Sequence, residues 1–157
     1  MGLPGSGKST LCERLRGCGW SVVDDKAGQE EFEGLPPRER MEQVAAATLR
    51  AGKNTVVDRT NIESFQRAHW LRLAREAGIP DALSAVVFLN TSGETCKERV
   101  LQRENHRLAN NDQSLKVVDR FMEGLTPPTR GEGFGAVFMV TTTEKFESFA
   151  RDMCPPG

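Results

Sequence analysis

No apolar run in the sequence approaches the roughly 20 residues that a membrane-crossing helix requires, and no secretory leader is visible. A membrane-crossing helix is therefore not expected. Histidine is scarce, with only His69 and His106, and neither has metal-like neighbours, so neither is given a role. Cys12, Cys18, Cys96 and Cys154 lack the paired spacing of a zinc site, and two of them fall on apolar helix faces. They are expected to be reduced thiols of an intracellular protein, in the nucleus or the cytoplasm. Aromatic residues make up 6% of the chain and the net charge is −1, so there is no global attraction to nucleic acid. Any such contact must come from a local patch. Internal repeats and low-complexity segments are absent too. At 157 residues, with 38% hydrophobic and 27% charged positions, the composition is that of one globular domain with a real core.

What the sequence does have stands at its start. Gly2-Leu3-Pro4-Gly5-Ser6-Gly7-Lys8-Ser9 satisfies every fixed position of GxxxxGK[ST], the phosphate-binding loop of nucleoside-triphosphate enzymes. Glycines let the backbone wrap a phosphate so that several N–H groups converge on its oxygens. Lys8 adds a point charge for the β and γ phosphates, and the Ser9 hydroxyl is placed to ligate Mg²⁺. A helix starting near Lys8 adds the positive end of its dipole. Leu11, Cys12, Leu15 and Cys18 share one helical face directly afterwards, which a mere glycine-rich turn would not require. Such a loop hangs from the end of a buried strand, yet only Met1 precedes Gly2. The expectation is a fragment or a trimmed chain, with the first strand missing and Met1 its last residue.

Short apolar runs alternate with helical stretches, which predicts an α/β fold with a parallel sheet covered by helices. Strands are expected at Trp20–Asp24, Asn54–Asp58, Leu83–Leu89 and Ala136–Thr141. The run Ala85–Leu89 is apolar throughout, as a strand buried on both faces should be. Helices are expected over Met41–Leu49, around Trp70–Ala77, over roughly Gly93–Arg103, over Leu115–Leu125 and from Glu144 to Asp152. The segment from His106 to Gln113 is polar and Asn-rich, and reads as a mobile connection.

Ligands sit outside the C-terminal ends of the strands in open parallel sheets. Asp24-Asp25 follows the first expected strand, and one of the two, with Asp25 preferred, could take a proton from an attacking hydroxyl; equally, both could cap a turn. Asp58 ends the next strand, where a carboxylate that holds Mg²⁺ or water belongs, while Thr60 or Asn61 could simply cap the following helix. Arg99, Arg103 and Arg107 recur every four residues, and such uncompensated like charges fit an anion held under a lid as well as a solvated basic face. Trp70 reads as core.

Taken in order, these blocks resemble the kinase domain of polynucleotide 5′-hydroxyl kinases, found in bacterial RNA-repair enzymes and animal end-healing kinase–phosphatases. The resemblance covers nearly the whole chain. Gly2 to Thr10 is similar to the family's phosphate loop, which implies that Gly2, Pro4, Gly5, Ser6, Gly7, Lys8, Ser9 and Thr10 bind ATP. The block VVDDKAG resembles the strand that ends in the general base, which implies that role for Asp25. VVDRTNIESFQR resembles the family's VVDATN or IDNTN block, which implies Asp58 with Ser9 at the metal and Asp58, Asn61 and Arg67 towards the acceptor. CKERVLQR resembles the lid helix, and assigns Arg103 to the donor phosphates beside Lys8. RGEGFGAVFMV resembles the closing REGF block and last strand.

One departure bears on the acceptor. Family members often carry Arg three residues after the catalytic Asp, where this chain has Gly28, with Lys26 nearby. Gly there also resembles the kinase-like domains fused to aprataxin-type repair proteins in plants, which implies fusion to other repair domains. The function implied is Mg²⁺-dependent transfer of the ATP γ-phosphate to a nucleic-acid 5′ end. The alternatives are a kinase acting on a small-molecule acceptor, favoured by the lack of an aromatic or basic patch, and a non-catalytic nucleotide-binding module of a repair assembly.

Overall fold

The computed structural model describes residues 1–103 and 112–154. Four short strands and six helices alternate as expected. They are α1 (Lys8–Gly17), β1 (Ser21–Val23), α2 (Pro37–Arg50), β2 (Thr55–Val57), α3 (Ser64–Glu76), β3 (Ala85–Leu89), α4 (Gly93–Leu101), α5 (Asp112–Glu123), β4 (Ala136–Val140) and α6 (Thr143–Met153). Local chemistry explains most of the boundaries. Pro37 starts α2 at a position where its missing N–H costs nothing. Glu63 and Gln66 form a reciprocal capping box on α3. Ser92 and Thr142 accept from the N–H groups of Thr95 and Lys145 to cap α4 and α6.

All strand pairing is parallel, as the βαβ pattern predicts. Ser21 to Val23 lie opposite Thr55 to Val57, and Ala85 to Leu89 lie opposite Ala136 to Val140. The strands form two separate pairs, β1–β2 and β3–β4, where the sequence predicts one sheet. Met1 stands between the pairs. Its nitrogen donates to Val87 O and its carbonyl accepts from Leu89 N–H at 3.0 Å, which is the bonding of one residue in a parallel ladder with β3. Gly2 N–H turns the other way, to Thr60 O beyond β2, at 3.0 Å. The remaining width between β2 and β3 is a cavity of about 270 Å³ lined by Val56, Val57, Val86 and Val87 from the facing strands.

Helices cover the strands from both sides. Leu11 and Leu15 of α1 pack with Leu89, Val140 and Ala150, bringing α6 against the strand ends. Met41 and Ala45 of α2 pack on Val23, with Trp70 and Leu73 of α3 beside them. Leu3 of the glycine-rich loop packs with Cys96 and Val100 of α4 and Val118 of α5.

Two cross-links hold distant segments together, and both differ from expectation. Cys18 and Cys154 form a disulfide across 136 residues, joining the end of α1 to the end of α6; only Cys12 and Cys96 are free thiols, both buried. Arg67, expected at the acceptor, is instead only 2% exposed. Its Nε and Nη2 each donate to a Glu132 carboxylate oxygen at 2.7 Å, and its Nη1 donates to the carbonyls of Asn61 and Ile62 at 3.0 Å. The Asp58–Asn61 turn and the RGEGF segment are therefore tied by one ion pair.

Breaking a buried pair from one side leaves an uncompensated charge, at about 3–5 kcal/mol. Arg67→Met should lower unfolding stability by that amount in urea titration, whereas a contact made only to substrate would leave stability unchanged. Arg67 also holds the Glu132 carboxyl below its ordinary value of 4.5. The stability this contributes is full above that ordinary value and is lost as pH falls through the lower, folded one.

The disulfide closes a loop so long that the chain-entropy account assigns it about 4–5 kcal/mol. Dithiothreitol, or Cys18→Ser, should lower the thermal midpoint accordingly. Equal midpoints with and without reductant in scanning calorimetry would show that the link contributes nothing.

Candidate active site

The glycine-rich loop is shaped by its neighbours. Gly5 has φ +86, and a Cβ there would lie 2.5 Å from the Cys96 carbonyl, so α4 packs directly on the loop. Gly7 has φ +100 and forms the N-cap of α1, a left-handed position that a side chain would strain. Ser6 N–H closes a turn onto Leu3 O at 3.0 Å, and Thr91, just past β3, donates its hydroxyl to Ser6 O at 3.1 Å. Pro4 and Gly2 are buried in this wall, and Thr10 lies exposed one residue past Ser9.

Lys8 curls over the loop, with Nζ donating to Gly2 O at 3.0 Å and Leu3 O at 2.8 Å. Burial pushes the Lys8 amine down from 10.5 to about 8, with Asp58 opposing and Arg103 adding to the shift. Ser9 Oγ donates to Asp58 Oδ2 at 3.0 Å, so the hydroxyl and the strand-end carboxylate assigned to metal stand together in an exposed position. Two hard oxygens beside a phosphate cradle suit Mg²⁺, which commonly takes one or two protein oxygens and completes its shell with water and substrate phosphate. Among the described residues no three His, Cys, Asp or Glu side chains gather as a closed metal cage. The Ser6 hydroxyl is buried with no hydrogen-bond partner among the described residues, a donor inside the loop that a phosphate oxygen would satisfy.

The two carboxylates after β1 differ in exposure. Asp24 accepts from Lys26 N–H through Oδ1 at 3.0 Å and from Arg16 Nη2 through Oδ2 at 3.2 Å, so it closes the turn and anchors it to α1. Asp25 and Lys26 stand exposed on the rim. Asp58 N–H donates to Val23 O at 2.9 Å, carrying the β1–β2 ladder up to this rim. Asn61 adopts φ +43, the one left-handed residue other than glycine among those described, and lines the same cavity as Lys8 and Asp58.

The arginine series divides. Helix α4 ends at Leu101, so Arg103 lies just beyond it, near enough to Lys8 for its charge to act on the amine. Arg99 is the one whose guanidinium reaches the loop, with Nη1 donating to Gly5 O at 3.4 Å. Arg107 and His106 lie outside the described residues. Sequence reasoning missed Thr91, Arg16 and the loop contact of Arg99. Thr91 carried a usable signal, being polar and just past the end of the most apolar strand.

A family model described as an AAA domain matches residues 1–128. The chain belongs to that family. Over 147 residues it is 27% identical to a protein named transcription factor bHLH140 from Arabidopsis thaliana, covering 87% of this chain. The chain spans only 15% of that curated relative's length. A gluconokinase from Sinorhizobium meliloti superposes with a TM-score of 0.61 at 24% identity, over 98% of this chain and 86% of the other. Kti12 from Chaetomium thermophilum, solved with ADP-AlF3, superposes with a TM-score of 0.60 at 16% identity, over 100% and 97%. The fold is thus the α/β fold of phosphate-loop NTPases, shared with both solved structures. Among the described residues no helix is long and apolar enough to cross a membrane.

An amine that titrates near 8 attracts phosphate only while protonated. ATP affinity should therefore fall as pH rises through about 8, and Lys8→Met should lose both the affinity and its pH slope. Isothermal titration between about pH 7 and pH 9 reads both. A slope that survives in Lys8→Met would assign the dependence to another group.

Proposed function

We propose that this domain is a Mg²⁺-dependent kinase that transfers the γ-phosphate of ATP to the 5′-hydroxyl end of a polynucleotide. The observation that carries the reading is the meeting of the Ser9–Asp58 pair with Lys8 beneath the rim where Asp25 follows β1. A donor cradle and a carboxylate at a strand end are the two halves that phosphoryl transfer requires. Support for the polynucleotide acceptor is the order of the DRTN, CKERVLQR and RGEGF blocks, two of which Arg67 and Glu132 join physically.

In this mechanism Asp25 accepts the proton of the acceptor hydroxyl, whose oxygen attacks the γ-phosphorus. The bond from γ-phosphorus to the β–γ bridging oxygen breaks, and ADP departs. Lys8 releases the carbonyls of Gly2 and Leu3 and meets the β and γ oxygens, while Arg103 faces the charge gathering on the leaving oxygen. Ser9 and Asp58 would hold Mg²⁺, which would supply further neutralisation of the phosphate charge. Thr91 and Arg99 hold the loop against α4 and β3 so that these donors need no rearrangement during the reaction.

A small hydroxyl acceptor is the second reading, and one observation favours it. The loop between β1 and α2 carries Asp24, Asp25, Glu30, Glu31 and Glu33 against Lys26 alone, a charge that repels a polyanion. The gluconokinase neighbour is, by its name, a kinase for a small molecule.

Transfer of radiolabel from ATP to 5′-hydroxyl DNA, 5′-hydroxyl RNA and sugar-acid acceptors separates the readings. Labelled polynucleotide is the expected result; label only in a small acceptor would move the domain to the second reading, and label in none would end the kinase assignment. Asp25→Asn should keep ATP affinity and lower kcat by about 10²-fold, the usual size of general-base catalysis. Asp24→Asn should do far less, and the reverse ranking would move the base to Asp24.

A further inference from the structure

We infer that Arg40 is a positioning residue that clamps both ends of the acceptor-side loop and so fixes where Asp25 stands. The inference rests on the kinase reading for its catalytic consequence, but its structural basis is independent. Arg40 is the fourth residue of α2, whose N-terminal end opposes a cation. Its side chain turns back off the helix. One terminal nitrogen donates to Leu35 O at 2.9 Å, at the far end of the loop, and the other donates to Asp25 O at 3.1 Å, at the near end. Its Nε is buried with no hydrogen-bond partner among the described residues, while the side chain as a whole is half-buried and makes its two carbonyl bonds at the surface.

The rest of the loop is built from local turns. Ala27 N–H donates to Asp24 O, Gln29 N–H to Lys26 O, Phe32 N–H to Gly28 O and Leu35 N–H to Phe32 O. Each of these bonds spans three or four residues, whereas Arg40 joins residue 25 to residue 35. Gly28 lets the middle sit down on the helix: its φ is +69, and a Cβ there would stand 2.9 Å from both Phe32 and Val44. A planar fork presents donors on two separate nitrogens and so reaches two carbonyls that lie apart, whereas a lysine ammonium must reach both from one nitrogen. Asp24, held by Arg16, anchors the strand side. With Arg40 in place, the exposed Asp25 is carried on a backbone fixed from both directions.

Arg40→Met and Arg40→Lys in the whole chain test this. Arg40→Met should lower kcat for hydroxyl phosphorylation by about 10²-fold, the loss expected from roughly 1 Å of misplacement. Its Kd for ATP should stay within about twofold, because the phosphate loop is untouched. Amides of residues 25–35 should exchange with deuterium faster, while those of α1 and α4 keep their rates. Arg40→Lys should recover part of both losses, and it carries the test should Arg40→Met fail to fold. Unchanged loop exchange would overturn the clamp, and so would ATP affinity falling in parallel with kcat. A wild-type chain that phosphorylates no hydroxyl acceptor overturns the kinase reading instead, with the exchange result still deciding whether Arg40 holds the loop.

Discussion

The buried guanidinium of Arg67 is the interaction on which the acceptor side of the molecule depends. Placing a cation out of water costs several kcal/mol, and only complete hydrogen bonding makes it tolerable. Arg67 meets that condition with two bonds to Glu132 and two to the carbonyls of Asn61 and Ile62. Those carbonyls belong to the turn that follows Asp58, and Asp58 is what Ser9 touches. Loosening the guanidinium would therefore free the turn, and the turn carries the strand-end carboxylate. The backbone of the same turn meets the phosphate loop a second time, through Gly2 N–H on Thr60 O. Position at the candidate site thus descends from a charge that is itself buried.

On the donor side the loop is held from the opposite direction. Thr91 and Arg99 bind the carbonyls of Ser6 and Gly5, and the Cys96 backbone presses against Gly5. Lys8 is desolvated in this wall and keeps its charge by borrowing two carbonyls. Those carbonyl bonds are neutral-acceptor contacts, weaker than bonds to a phosphate oxygen. Contacts from α4 and the end of β3 thus fix the shape of the loop around Lys8, the kind of preorganisation on which the proposed catalysis would rest.

The parts of this arrangement legible in the sequence are those written in local chemistry. The phosphate loop announces itself through glycine spacing, and the strands and helices fall close to the places set by apolar period, Pro37 and the capping residues. What could not be read is what long-range packing decides. Cys18 and Cys154 are 136 residues apart, and no local signal pairs them. Arg67 looks like any exposed helical arginine until Glu132 arrives from the other end of the chain. The division into two strand pairs, with Met1 bonded to β3 and Gly2 to the segment after β2, is decided by backbone pairing that strand propensity does not report. Arg99 and Arg103 are equivalent by period; the end of α4 at Leu101 separates them.

Charge is distributed unevenly about the site, and this bears on what can approach it. Lys8, Arg99 and Arg103 gather at the phosphate loop, while the loop after β1 carries carboxylates on the rim where the proposed acceptor would enter. An acidic rim repels a phosphodiester backbone. A polynucleotide would therefore have to enter with its terminal hydroxyl foremost and its phosphates directed away from Glu30, Glu31 and Glu33. Gly28 strengthens the constraint, since this position, an arginine in many of the polynucleotide kinases that the sequence resembles, has no side chain and is packed against Phe32 and Val44. With no cation there to grip the acceptor's own phosphate, recognition would rest on the hydroxyl and the atoms nearest it, and geometry at Asp25 would count for more than attraction at a distance.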